Sequence, residues 1–137
     1  MKSKLKKTTK KDNYEGRQEH VRSLKLQAID IWKNMYPDKD YWIDLEVPEF
    51  TCICPKTGLP DFATLKIRYR PNLYCIELKS FKLYIIAYRD IGIFHEHVVN
   101  KVLNDFVNAC QPREASITGI FNSRGGIKTT VSAEYKE

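Results

Sequence analysis

The chain has 137 residues, 42% hydrophobic and 12% aromatic, which suits one domain with a buried core and excludes disorder over most of its length. Its net charge of +6 is local: residues 1–11 hold six lysines and no acid, and taking those six from 23 basic residues leaves 17 against 17 acidic ones. The basic character therefore lies in a short polar tail, expected to be disordered, and the neutral body gives no footprint for nucleic acid.

No apolar run approaches the roughly 18 residues of a membrane helix, and no apolar stretch follows the lysines as in a secretory signal. Cys52, Cys54, Cys75 and Cys110 form no CxxC pair and read as reduced thiols of a cytoplasmic protein.

In chain order, residues 17–35 place Val21, Leu24, Ala28, Ile29, Trp32 and Met35 at spacings of three and four, predicting an amphipathic helix stopped at Pro37. Residues 42–47 alternate, with Ile43, Leu45 and Val47 facing one way and Asp44 and Glu46 the other. That pattern predicts a half-buried strand whose regularity ends at Pro48. Residues 54–61, with two prolines and a glycine, are turn chemistry. A second strand follows, with Ala63, Leu65, Ile67 and Tyr69 on one face and Thr64, Lys66, Arg68 and Arg70 on the other. Pro71 and Asn72 turn the chain into a short strand over 73–78.

Residues 79–89 fit a buried strand or a buried helix equally by period. Residues 94–110 carry one apolar stripe (Phe94, Val98, Val102, Phe106 and Cys110 among others), predicting a helix that ends before Pro112. Strands over 115–121 and 127–133 are joined at Ser123, Arg124, Gly125 and Gly126 as a hairpin. The layout is α+β in a single domain over residues 12–137, with hairpins at both ends and helices between.

Three segments carry residues with chemical potential. Cys54 stands where a strand enters the Pro- and Gly-rich turn, Lys56 beside it could favour the thiolate, and Asp61 closes the same turn. Together they offer a nucleophile and a proton donor; the plainer account makes Cys54 a small core residue and Asp61 a turn residue. His95, Glu96 and His97 open the long helix. Their His-x-His spacing is a poor metal pair because residues two apart on a helix diverge, while Glu96 could accept from a purine-like ring edge. Glu77, Leu78, Lys79, Ser80, Lys82 and Tyr84 bring two lysines three apart, which in a helix could meet phosphates. No GxGxxG is present, so a Rossmann-type nicotinamide site is excluded.

Taken together, these segments resemble one family. Phe50, Thr51, Cys54, Pro55, Lys56, Thr57, Gly58, Pro60, Asp61 and Phe62 match its active-site segment; Glu77, Leu78, Lys79, Ser80, Lys82, Leu83 and Tyr84 match its reductase motif; Phe94, His95 and Glu96 match its substrate-recognition element. Arg113 and Arg124-Gly125-Gly126 fit its C-terminal hairpin. The family is the NADPH-dependent 7-cyano-7-deazaguanine reductases of queuosine biosynthesis, in their short single-domain form, and the resemblance spans about residues 40–135.

It implies a tunnelling fold, two strands, two helices and two strands per subunit. Subunits would form stacked ring-shaped barrels, a decamer, with active sites between them. It makes Cys54 the nucleophile on the nitrile carbon, giving a thioimide, and Asp61 the proton donor. His95 and Glu96 would hold the deazaguanine, and Ile76, Glu77 and Leu78 would complete the pocket. Lys79, Ser80 and Lys82 would hold NADPH phosphates. The lysine tail and the helix at 17–35 have no counterpart in the family. Leu78 replaces a common serine, so any contact there is through backbone.

Two other readings stay in view. One is a zinc cyclohydrolase-like enzyme of the same fold, using Cys54, His95 or His97, and Cys110. The other is a small RNA-binding protein working through the tail, although the free base is the substrate the resemblance implies.

Overall fold

A computed structural model describes residues 26–137. Four antiparallel strands form the main sheet, in the spatial order β2-β3-β5-β6. They are β2 (Ile43–Ile53), β3 (Pro60–Arg70), β5 (Glu114–Phe121) and β6 (Thr130–Lys136). Two helices, α1 (Leu78–Ile86) and α2 (His95–Cys110), lie between the hairpins in sequence, with a 3-10 turn over Ala87–Asp90. A second, two-stranded sheet pairs β1 (Ile31–Lys33) with β4 (Tyr74–Ile76). The expected α+β order of two strands, two helices and two strands is present, and the ambiguous residues 79–89 are helical.

The sheet is two-faced because β3 and β5 alternate strictly. Ala63, Leu65, Ile67 and Tyr69, with Ala115, Ile117 and Phe121, point to the helices and are buried. They pack on Val98, Val99, Val102 and Phe106 of α2; the Tyr69 and Phe106 rings meet edge to face at 4.9 Å. The opposite face is polar, with Asp44, Arg68, Ser116 and Glu134 in register across all four strands.

In β2 the alternation changes phase. The pairing with β3 shifts register between Val47 and Phe50, where Pro48 has no N–H to give the ladder. One extra residue at a bulge moves the following side chains to the other face. Leu45 and Val47 face the core before it, and Phe50 and Cys52 are fully buried after it.

The N-terminal helix is a correction. Its predicted residues 17–25, like the lysine tail at 1–11, lie outside the described residues. From Leu26 onward the chain is not helical, and Ile31–Lys33 is a strand. Trp32 and Met35, counted on the apolar helical face, are exposed. Pairing decides the conformation: Ile31, Trp32 and Lys33 sit opposite Ile76, Cys75 and Tyr74. Asp30 adds to it by donating its N–H to Ser80 Oγ at 2.8 Å and accepting from Glu77 N–H at 2.9 Å. Tertiary pairing outweighs a helical period of this strength. Among the described residues no helix is long and apolar enough to cross a membrane.

Candidate active site

Cys54 follows the last residue of β2, in a turn closed by Cys54 N–H to Leu59 O at 2.8 Å and Gly58 N–H to Cys54 O at 2.9 Å. Its thiol is half-buried. Burial pushes its pKa up, but the Thr57 hydroxyl and the backbone N–H groups of Thr57 and Lys56 donate to the sulfur and outweigh it, leaving the pKa below the ordinary thiol value despite nearby Asp61. Hydrogen bonds to the charged form favour the thiolate. Lys56 thus contributes through its backbone N–H. Cys52 is the contrast: fully buried, it is pushed up to about 12 by desolvation first, then by Asp61 and Cys54.

Asp61, the second residue of β3, pairs with Cys52 across the strands and is almost fully buried. His95 opens α2 and turns Nε2 to Asp61 Oδ2 at 3.1 Å. The imidazole lies flat on Phe121, ring centroids 3.8 Å apart and 9° from parallel, so the end of β5 fixes its plane. Arg124 donates to Asp61 Oδ1 and, at 2.8 Å, to the Pro60 carbonyl. Glu96 follows His95 and is exposed. Sequence reasoning placed Thr57 in the matching segment without a role and missed Phe121 and the reach of Arg124. The Arg124-Gly125-Gly126 turn was visible, but a contact to a residue 63 positions away leaves no local signal.

The second group of expected site residues stands elsewhere. Ile76 N–H donates to the Tyr69 hydroxyl at 3.1 Å. Asp61 and Tyr69 are near opposite ends of the 11-residue β3, roughly 25 Å apart at strand rise. One chain therefore does not bring Ile76, Glu77 and Leu78 to Cys54.

Glu77 is the N-cap of α1, its carboxylate accepting from Lys79 N–H and Ser80 N–H at 2.8 Å each. Those two bonds hold its pKa below the usual carboxylate range. Ser80 is buried, its hydroxyl donating to Glu77 O and accepting from Asp30 N–H, which ties the residue before β1 to the start of α1. Lys79 and Lys82 are exposed along α1. Beside them a groove of about 410 Å³ runs between β2 and α1, walled by Leu45, Val47, Leu78, Phe81, Lys82 and Ile85 among others.

The zinc ligand set is not assembled. His95 and Cys110 are the first and last residues of the 16-residue α2, about 22 Å apart at helix rise. Cys110 is buried in the core, its thiol pushed up to about 12 by desolvation and then by Cys75.

The four-stranded antiparallel sheet backed by two helices is the tunnelling fold. A solved structure with this architecture, the apo form of the archaeosine synthase QueF-Like, aligns at a TM-score of 0.64 and 22% identity over 68% of this chain and 91% of its own. A family model described as QueF-like protein matches residues 60–137. The chain is 55% identical over 109 residues to a protein of Halorhodospira halophila named NADPH-dependent 7-cyano-7-deazaguanine reductase, covering 80% of this chain and 92% of that one. It is 54% identical to the protein of that name from Nitrosococcus oceani, covering 81% and 86%, and 50% identical to that from Elusimicrobium minutum, covering 84% and 86%. The chain belongs to the NADPH-dependent 7-cyano-7-deazaguanine reductase family.

Proposed function

We propose that this protein reduces the nitrile of 7-cyano-7-deazaguanine to the aminomethyl group with NADPH, in queuosine biosynthesis, through a thioimide on Cys54. The observation that carries the mechanism is the placement of Cys54 in the closed turn between β2 and β3, two residues past the strand position that pairs with Asp61, whose buried carboxylate meets His95. A conjugated nitrile carbon is electrophilic, and a thiolate at that position adds to it without a leaving group. As the S–C bond forms, the nitrile nitrogen gains electron density and takes a proton from Asp61. NADPH, when bound, supplies the hydride for each of the two reductions.

Between them the C–S bond of the reduced, tetrahedral adduct breaks, the Cys54 thiol leaves and an imine forms, and exclusion of water from the site keeps that imine from hydrolysis. Glu96 accepts from the N–H edge of the deazaguanine, with His95 behind it and Ile76, Glu77 and Leu78 closing the pocket. For the cofactor phosphates the fit is with the exposed ammonium groups of Lys79 and Lys82 beside the apolar groove, since Ser80 already spends its hydroxyl on the fold.

The separation of the two residue groups supports a homo-oligomer in which one subunit's Cys54 end meets another's Glu77 end, in stacked rings amounting to a decamer. Large apolar side chains are exposed at both ends: Leu59, Phe62 and Ile127 near Cys54, and Leu73, Tyr74 and Leu78 near Glu77. The sheet also has two edges, β2 and β6, for joining copies. Turnover tests the proposal. The assembled protein is expected to oxidise NADPH only when the nitrile is added, and Cys54→Ala is expected to abolish that oxidation. Equal oxidation by Cys54→Ala would overturn the mechanism.

A further inference from the structure

Asp61 is held on both oxygens, by partners from two different elements. Oδ2 meets His95 Nε2 at 3.1 Å from the start of α2, and Oδ1 accepts from Arg124 in the β5–β6 loop. The same Arg124 nitrogen reaches Pro60 O, so one guanidinium spans the first two residues of β3. A tight turn aims it. Arg124 N–H donates to Ile127 O at 2.9 Å and Ile127 N–H to Arg124 O at 3.0 Å, with Gly125 and Gly126 between them at φ of 59° and 80°. Two successive positive φ angles give the primed turn that suits a two-residue hairpin, and they favour glycine. A Cβ at either glycine would meet nothing within 4 Å, so backbone geometry, not crowding, selects glycine there.

The two partners of Asp61 are not chemically equivalent. A guanidinium keeps its protons throughout the working range, whereas an imidazole exchanges one. We propose that Arg124 is a positioning residue for the reduction: it pins Oδ1 and the plane of the carboxyl group, leaving Oδ2 and His95 Nε2 to carry the proton that goes to the substrate nitrogen. This rests on the assignment of Cys54 and Asp61 made above. When the S–C bond forms and one C–N π bond breaks, the freed electron pair takes the proton from Oδ2. The Asp61 carboxylate left behind is charge-compensated by Arg124, and His95 Nε2, facing Oδ2, relays the replacement proton from solvent.

The test compares the full, assembled wild type with Arg124→Ala and Arg124→Lys. The rate of Cys54 adduct formation from 7-cyano-7-deazaguanine alone is followed by mass spectrometry, and kcat and KM are measured with NADPH. Loss of carboxyl orientation is expected to slow adduct formation and lower kcat by about 10- to 100-fold, with KM for the nitrile changed by no more than about threefold. Arg124→Lys should retain part of the rate. Methylguanidinium added to Arg124→Ala should restore part of it and leave wild type unaffected. Wild-type adduct rate and kcat in Arg124→Ala overturn the proposal, as does a loss confined to KM or one that neither lysine nor methylguanidinium relieves. If wild type itself forms no adduct, the proposed function falls and this inference falls with it; if wild type reacts and Arg124→Ala matches it, only the role of Arg124 falls.

Discussion

Two cysteines two residues apart meet opposite fates, and the difference lies in what their sulfurs touch. Cys52 is sealed in the core and pushed up to about 12, a protonated, inert thiol at neutral pH. Cys54 gains Thr57 and two backbone N–H donors and moves the other way. Cys54 and Asp61 could be singled out from the sequence because the turn between them is local. The downward tuning could not, since it depends on how residues 54–59 fold back on themselves.

Thr57→Ala removes one donor to the thiolate. A hydrogen bond to a charged group contributes about 1.5 kcal/mol at the lower end, roughly tenfold in thiolate population where the thiol is mostly protonated. Alkylation of Cys54 by iodoacetamide, followed by peptide mass spectrometry across pH, should therefore slow by about tenfold below the wild-type midpoint, with the midpoint displaced upward. An unchanged profile would show that Thr57 does not tune the thiol.

At the level of elements, the errors and successes of the sequence have separate physical causes. β3 and β5 were legible because a period of two on a two-faced sheet needs no partner to be recognised. The second half of β2 was not, because the bulge after Val47 reverses the phase and the pattern looks broken at Pro48. The helix expected across residues 17–35 fails from Leu26 onward because β1 finds β4, a partner more than 40 residues away.

Helix α1 begins where it does because Glu77 caps it. A carboxylate accepting two N–H bonds has a depressed folded-state pKa, so its stabilising contribution is full above the ordinary carboxylate value and fades as pH falls through the lowered one. Glu77→Gln should lower the melting temperature near neutral pH, and the gap from wild type should close in acid as the wild-type carboxyl becomes protonated. Melting curves across the acid range check this; a gap that persists unchanged below the carboxylate range would contradict it.

For the whole molecule, the decisive fact is the distance between the two groups of residues the family motif joins. Cys54, Asp61, His95 and Glu96 gather at one end of the sheet and Ile76, Glu77 and Leu78 at the other, held apart by the length of β3. The motif resemblance implies a site between subunits, but residue pattern alone does not say which groups one chain holds together, because complementarity between copies is a property of surfaces. The interface site proposed above would allow complementation. Cys54→Ala and Glu77→Gln, each expected to be deficient alone, should regain measurable NADPH oxidation when unfolded together and reassembled, since some interfaces then pair an intact Cys54 end with an intact Glu77 end. A mixed preparation no more active than its components would place the whole site within one chain.

The most direct measurement is the mass of the protein after incubation with 7-cyano-7-deazaguanine and no NADPH. Thiolate addition to a nitrile expels nothing, so the expected result is a gain equal to the whole mass of the nitrile, located on the Cys54 peptide and absent from Cys54→Ala. Turnover by wild type without that adduct, or an adduct carried by Cys52, Cys75 or Cys110, would contradict a thioimide on Cys54.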